Sequence, residues 1–155
     1  MTNGRANLEF SGAGTSGFNM KDVDDASNAT FIQFRKANGS GIGSISRNGL
    51  LDQINYNTSS DYRLKEDLKD FEAINTLKNI KVYDFKWINH QDRQFGVMAH
   101  ELQEVVSYAV TGKKDELDED NNYKIQSVDY SKLVPITIKA IQELDNRVKA
   151  LENLN

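Results

Sequence analysis

The chain has 155 residues, 38% of them hydrophobic, which suits one ordinary domain or a small domain with an attached fragment. Its formal charge of -4 and pI of about 5.2 argue against a nucleic-acid-binding face, which needs basic residues. There is no cysteine, so disulfides, thiolate metal sites and cysteine nucleophiles are excluded. No apolar run approaches the roughly 18 residues of a membrane span, and the first residues lack a signal-peptide core, so we expect cytoplasmic synthesis without a membrane partner.

The composition changes near residue 60. Eight of the ten glycines lie before residue 50, among many Ser, Asn and Thr residues. Short alternating bursts predict strands at 31–34 and 42–45, and Asn48-Gly49 predicts a turn after them. Strands with so few large side chains bury too little apolar surface to stabilise a sheet alone. Residues 1–59 are therefore either a loosely folded leader or the end of a thin β-stalk whose core is shared by three chains.

After residue 60 the pattern predicts a small mixed α/β domain. Leu68, Phe71, Ile74 and Leu77 recur at helical spacing, which predicts an amphipathic helix over residues 67–79. The remaining pattern predicts a strand with an aromatic face at 81–87, a strand at 95–98, a helix at 100–106, an exposed acidic loop at 112–122 and a strand at 123–128.

A long helix is predicted at the C-terminal end, over about residues 131–154, with Pro135 near its start. Apolar residues repeat there every seven positions and form what we call the heptad seam: Val134, Thr137, Ile141, Leu144, Val148 and Leu151. Two interpretations stay open. The helix lies on its own domain, or it meets identical helices around a threefold axis.

The junction between the two halves contains a serine and a lysine that could support self-cleavage. A serine hydroxyl can attack the carbonyl of the preceding residue and convert the peptide bond into an ester, which water then hydrolyses. This attack needs a proton acceptor, and burial or a neighbouring cation favours the neutral lysine that could serve. Ser60 and Lys65 are close enough in sequence for a turn to join them. On the residues alone, an N-cap followed by a solvated charged face is the commoner meaning of such a run.

Residues 60–65 resemble the S-D-x-R-L-K hallmark of the endosialidase-type intramolecular chaperones, self-cleaving domains that end phage tail spikes, tail fibres and neck appendages. The aromatic strand at 83–87 also resembles that family. So do residues 95–102, although His100 stands where the family usually has Gln. The ending from Ser127 to Leu144 is similar to the family's V-x-Y-x-x-L…A-I-Q-E-L.

The resemblance implies an α+β protein with a β-stalk end at 1–59 and an auto-processing chaperone domain at 60–155. It implies a single cut in cis between Ser59 and Ser60 by a serine endopeptidase with a Ser-Lys dyad. Ser60 would be the nucleophile, Lys65 the base and later the acid, while Asp61 and Arg63 would hold the turn by capping it or by pairing with a neighbour. Family members trimerise the stalk before cutting, so that removal of the chaperone leaves the stalk kinetically trapped.

The expected partners are two identical chains, in the host cytoplasm during phage assembly, after which the stalk joins the virion. No cofactor is required for cleavage, and no phosphate-binding loop motif supports nucleotide-linked release, which the sequence leaves open. No metal is expected, because the segment His100-Glu101 lacks the second histidine of a zinc-binding helix. The alternative function is a permanent structural or receptor-binding tip of a viral fibre that is never cut.

Overall fold

A computed structural model describes residues 20–21 and 29–154, and the chain divides into two compact units between Leu68 and Lys69. Residues 29–68 form the sheet unit and residues 69–154 the mixed unit. Both strands and helices are present, which confirms the α+β fold class. Part of the predicted stalk, at 1–19 and 22–28, lies outside the described residues. The boundary predicted between the stalk and the chaperone domain at residue 60 stays a prediction. The two compact units divide later, after Leu68.

The sheet unit is a three-stranded antiparallel sheet in the order β1 (Thr30–Arg35), β2 (Gly41–Asn48) and β3 (Gln53–Thr58). The first two strands confirm the prediction, whereas β3 was not predicted. Gly39 allows the tight turn between β1 and β2, because its φ of 85° lies in the left-handed region that side chains disfavour.

The two faces of this sheet differ in chemistry because side chains alternate along each strand. One cross-strand row is apolar and the next is polar: Ile32–Ile45–Tyr56 and Gln33–Ser44–Asn57. On the polar face the Asn57 side-chain amide donates to the hydroxyl of Ser44 at 3.2 Å. On the apolar face Tyr56 is 79% exposed. The sheet unit therefore presents an apolar face that the chain covers only in part.

The mixed unit contains three α-helices, two 3₁₀ helices (Ser107–Ala109 and Tyr130–Leu133) and four short strands. In chain order the α-helices and strands are α1 (Ala73–Lys78), β4 (Tyr83–Lys86), β5 (Arg93–Gly96), α2 (Ala99–Val105), β6 (Val110–Thr111), β7 (Ser127–Val128) and α3 (Val134–Glu152). The strands β4 and β5 form one antiparallel pair, and β6 and β7 form another. Among the described residues, no helix has both the length and the apolar character needed to cross a membrane.

The core of the mixed unit lies where α1 packs on α3. Ala73 and Ile74 of α1 are buried together with Ile136 and Ala140 of α3 and with Leu102 of α2. The heptad seam lies on a different face of α3. Its large apolar side chains are between 50% and 63% exposed: Val134, Ile141, Leu144, Val148 and Leu151. The helix thus lies on its own domain and still leaves its seam uncovered in the single chain.

Two predicted elements are shorter than expected. The helix predicted over 67–79 begins only at Ala73, because Asp67 has a positive φ of 52° and Glu72 is extended. The spacing of Leu68 was misleading, since this side chain is 86% exposed. The strand predicted over 123–128 is wrong except for β7, at its end. Its first part closes the acidic loop instead, through a bridge between Leu117 and Tyr123.

Glu143 of α3 ties the two core helices together by capping α1. Its Oε1 accepts a hydrogen bond from the Ala73 amide at 2.8 Å, and its Oε2 accepts one from the Ile74 amide at 3.0 Å. These two backbone hydrogen bonds lower the pKa of Glu143 below its ordinary value. A lowered folded-state pKa stabilises the fold fully above the unfolded-state pKa, and this contribution is lost as the pH falls through the folded-state pKa.

We expect Glu143→Gln to lower the melting temperature at pH 7 by roughly 5 °C, because the amide can accept only through one oxygen and carries no charge. The difference from the wild type should shrink as acid protonates Glu143, and circular dichroism melts across the pH range measure it. Glu152→Gln removes the same charge near the C-terminal end of α3 and is the control. Melting curves whose separation stays constant with pH would contradict the capping role.

Candidate functional site

A short 3₁₀ turn at Tyr62–Leu64 shapes the predicted site. Asp61 is the N-cap of this turn, and its carboxylate accepts a hydrogen bond from the Arg63 amide at 2.8 Å. At the other end the Lys65 amide donates to the Tyr62 carbonyl at 3.1 Å. These bonds reverse the chain immediately after Ser60 and fix where Lys65 leaves the turn. Asp61 is therefore the predicted N-cap, and Ser60 lies just outside the capped turn.

The turn brings the two predicted reactive side chains into direct contact. The Lys65 Nζ donates a hydrogen bond to the Ser60 Oγ at 2.6 Å. The sequence separation of five residues is thus bridged as expected from a turn. Both residues are exposed in the single chain. The pair has the short contact that a nucleophile and a base require, and in the single chain it is open to solvent.

Asp61 and Arg63 form a bidentate ion pair within the turn. The Arg63 Nε donates to Asp61 Oδ1 at 2.9 Å, and a terminal guanidinium nitrogen donates to Oδ2 at 2.7 Å. This pair lowers the pKa of Asp61 and raises the pKa of Arg63. Two roles were expected for these residues, capping the turn or pairing with a neighbour. Capping by Asp61 is observed, and the ion pair that is observed joins Asp61 to Arg63. They hold the turn from which Lys65 reaches Ser60.

Ser59, on the other side of the expected cut, is anchored to the sheet. It follows the last residue of β3, and its amide donates to the Ile42 carbonyl of β2 at 3.1 Å. Its hydroxyl donates to the Gly41 carbonyl at 3.3 Å. These contacts were not predicted, because β3 itself was not predicted. The available signal was the alternation of Ile54 and Tyr56 just before Ser59.

Apolar side chains project from the turn itself. Tyr62 is 82% exposed and Leu64 is 73% exposed. The turn therefore carries two exposed large apolar side chains between Ser60 and Lys65 in the sequence.

Residues 60–111 match the family model described as chaperone of endosialidase. These residues, about a third of the chain, are similar to the endosialidase chaperone family. The family comprises intramolecular chaperones of phage tail proteins and is of the self-cleaving serine peptidase type. No curated protein matched the chain. The matched segment begins at Ser60, so it includes the turn with its Ser-Lys contact.

The matched segment ends at Thr111, so the similarity of residues 127–144 to the family stays a prediction.

Within the match, Glu101 of α2 accepts hydrogen bonds from Lys81 at 2.8 Å and from the Tyr83 hydroxyl at 3.1 Å. Both contacts lower the pKa of Glu101, that of Lys81 being the stronger. The glutamate of the partial zinc motif therefore joins α2 to the segment that includes β4.

We expect Asp61→Ala to slow cutting at Ser59–Ser60 by roughly fivefold, the effect that loss of a typical N-cap has on an equilibrium. Asp61→Asn is the matched control, because its side-chain oxygen can still cap the turn while its charge is lost. Its cutting rate should lie closer to that of the wild type. Time courses on denaturing gels give both rates. Cutting of Asp61→Ala at the wild-type rate would show that the capped turn does not position Lys65.

Proposed function

We propose that this chain is an intramolecular chaperone that trimerises the end of a phage tail spike or fibre and then releases itself by cutting between Ser59 and Ser60. One observation carries the proposal. The Ser60 Oγ and the Lys65 Nζ lie 2.6 Å apart at the first residue of the family match. The reaction would occur once per chain, in the host cytoplasm during assembly, and would need no cofactor.

The chemistry follows from the positions of these groups. A neutral Lys65 amine accepts the proton of the Ser60 hydroxyl while the Oγ bonds to the Ser59 carbonyl carbon, closing a five-membered ring. The carbon–nitrogen bond then breaks, and Lys65 returns its proton to the nitrogen of Ser60. The resulting ester joins Ser59 to the Ser60 Oγ. Water hydrolyses this ester, which leaves a carboxylate on Ser59 and a free amino group and hydroxyl on Ser60.

Assembly would supply the conditions that this base requires. Lys65 is exposed in the single chain, and water stabilises an ammonium group over a neutral amine. A neighbouring chain that covered Tyr62 and Leu64 would remove water from Lys65 as well, since Leu64 precedes it in the same turn. Cutting would then follow trimerisation, because Ser60 and Lys65 would be shielded from water only in the assembled state.

The heptad seam is the surface best suited to bring three chains together. Its apolar side chains are half exposed or more, on a helix whose other face is already buried by Ile136 and Ala140. An apolar stripe repeating every seven residues is buried efficiently between parallel helices. The partly covered apolar face of the sheet unit is a second surface that three chains could share. These two surfaces support a homotrimer with one contact region in each unit.

We expect Ser60→Ala to abolish cutting and leave the trimer intact, because alanine removes only an exposed hydroxyl. Lys65→Ala should also be inactive. Lys65→Arg is the sharper variant, because it keeps a positive charge but its guanidinium cannot lose a proton. Denaturing gels and mass spectrometry detect the fragment that begins at Ser60, and native mass spectrometry detects the trimer.

A fragment beginning at Ser60 in the Ser60→Ala chain would remove this hydroxyl from the mechanism. Full activity of Lys65→Arg would show that Lys65 acts only through its charge. A single uncut species of the wild-type chain, under conditions where the trimer forms, would contradict self-release. It would support the alternative, a permanent structural or receptor-binding tip.

We further expect Ile141→Asp combined with Leu144→Asp to block trimer formation and cutting together, because two carboxylates would be buried in the seam. Gln142→Asp with Asn146→Asp is the control, since it adds the same charge to α3 outside the seam. Light scattering and gels run in parallel compare oligomer and fragment. A folded Ile141→Asp/Leu144→Asp monomer that cuts at the wild-type rate would separate cleavage from assembly.

A further inference from the structure

The residue that would donate the acyl group is held by β2 in the same unit of the chain. Ser59 donates from its amide to the Ile42 carbonyl at 3.1 Å and from its hydroxyl to the Gly41 carbonyl at 3.3 Å. The preceding residue, Thr58, pairs with Gly43 in the β2–β3 ladder. The chain is therefore held against β2 as far as the amide and the side chain of Ser59, directly before the expected cut.

Gly43 is what allows this registration. A Cβ atom built on Gly43 would lie 2.6 Å from the backbone carbonyl oxygen of Asn57, a distance that real Cβ contacts do not show. The backbone of β3 thus runs closer to β2 here than any other residue type allows. Gly41 is different, because its added Cβ would meet only the side chain of Gln33 at 3.6 Å, which is ordinary contact.

We propose that Ser59 is a positioning residue for the cut and that Gly43 admits the backbone approach on which this positioning depends. The inference rests on the proposed self-cleavage and adds its regulation by the fold. With its amide and its side chain both bound to β2, Ser59 keeps few rotations, so its carbonyl carbon stays in one place beside Ser60. Ring closure requires the attacking oxygen and the carbonyl carbon in near-attack geometry.

The consequence is a check on stalk folding built into the scissile bond. Where β2 and β3 are unpaired, Ser59 rotates freely and its carbonyl seldom faces the Ser60 hydroxyl. Where they are paired, the Ser-Lys contact on one side and the β2 anchor on the other fix both reacting groups. Cutting therefore reports that the last two strands of the stalk have paired, in addition to any requirement for a trimer.

The first test compares two neighbouring positions of β2. Gly43→Ala should slow cutting by about tenfold or more, because a displacement of about 1 Å can cost a hundredfold in such a reaction. Ser44→Ala places the same side chain at the next position of β2 and should cut at close to the wild-type rate, because Asn57 keeps its hydrogen bond to Ser46. Rates come from gels, and native mass spectrometry reports the trimer. Equal cutting rates of Gly43→Ala and the wild type would overturn the role of Gly43.

The second test needs no change in the sheet and covers the case in which Gly43→Ala fails to fold. Ser59→Thr and Ser59→Val have nearly the same shape, and only threonine keeps the hydroxyl. Ser59→Val should cut about fivefold more slowly than Ser59→Thr, the effect of one typical hydrogen bond. Their trimer content and melting temperature should agree. Equal rates of the two variants would overturn the positioning role of the Ser59 hydroxyl.

The wild type separates this inference from the proposed function. A wild-type chain that is never cut overturns both together. A wild-type chain that is cut, alongside variants at Gly43 and Ser59 that are cut equally fast, overturns the positioning role alone. Slow cutting of Gly43→Ala and of Ser59→Val, with fast cutting of their two controls, supports it.

Discussion

A shortage of buried apolar surface constrains everything else in this chain. The buried apolar core of the described residues consists of seven side chains, three of them alanines, and all belong to the mixed unit. The largest fully buried one is Leu102. Each buried aliphatic side chain contributes only about 1.5–3 kcal/mol, against an ordering cost of about 1–2 kcal/mol per residue. The described residues thus have a small core, and the proposed trimer would add to the apolar surface that is buried.

This constraint links assembly to chemistry. Among the apolar side chains that the single chain leaves exposed are those of the heptad seam, of one face of the sheet and of the turn that leads to Lys65. The contacts that would stabilise a trimer could therefore also dry the base. In such an arrangement the same burial serves folding and activation, and a separate trigger is unnecessary. The timing of the cut would then follow from assembly, together with the pairing of β2 and β3 proposed above.

The sequence predicted the parts of the site that depend on local pattern. The contact between Ser60 and Lys65 follows from a short motif, and α3 follows from a seven-residue repeat. The anchoring of Ser59 could not be predicted, because it depends on β3, whose Asn and Thr residues hide its alternation. The start of α1 was misplaced for a related reason. Leu68 has helical spacing, but the start of a helix also depends on what the side chains pack against. Spacing alone does not give those packing partners.

The position of the cut relative to the packing units has a thermodynamic consequence. A cut between Ser59 and Ser60 would fall inside the sheet unit, well before the division between Leu68 and Lys69. The residues from Ser60 to Leu68 would then lose their covalent tie to β3 and stay attached to the mixed unit. Each residue that is less ordered after the cut regains conformational entropy worth about 1–2 kcal/mol at 25 °C. Rejoining the ends would require this entropy to be given up again, so the cut would act as a ratchet that favours departure of the chaperone.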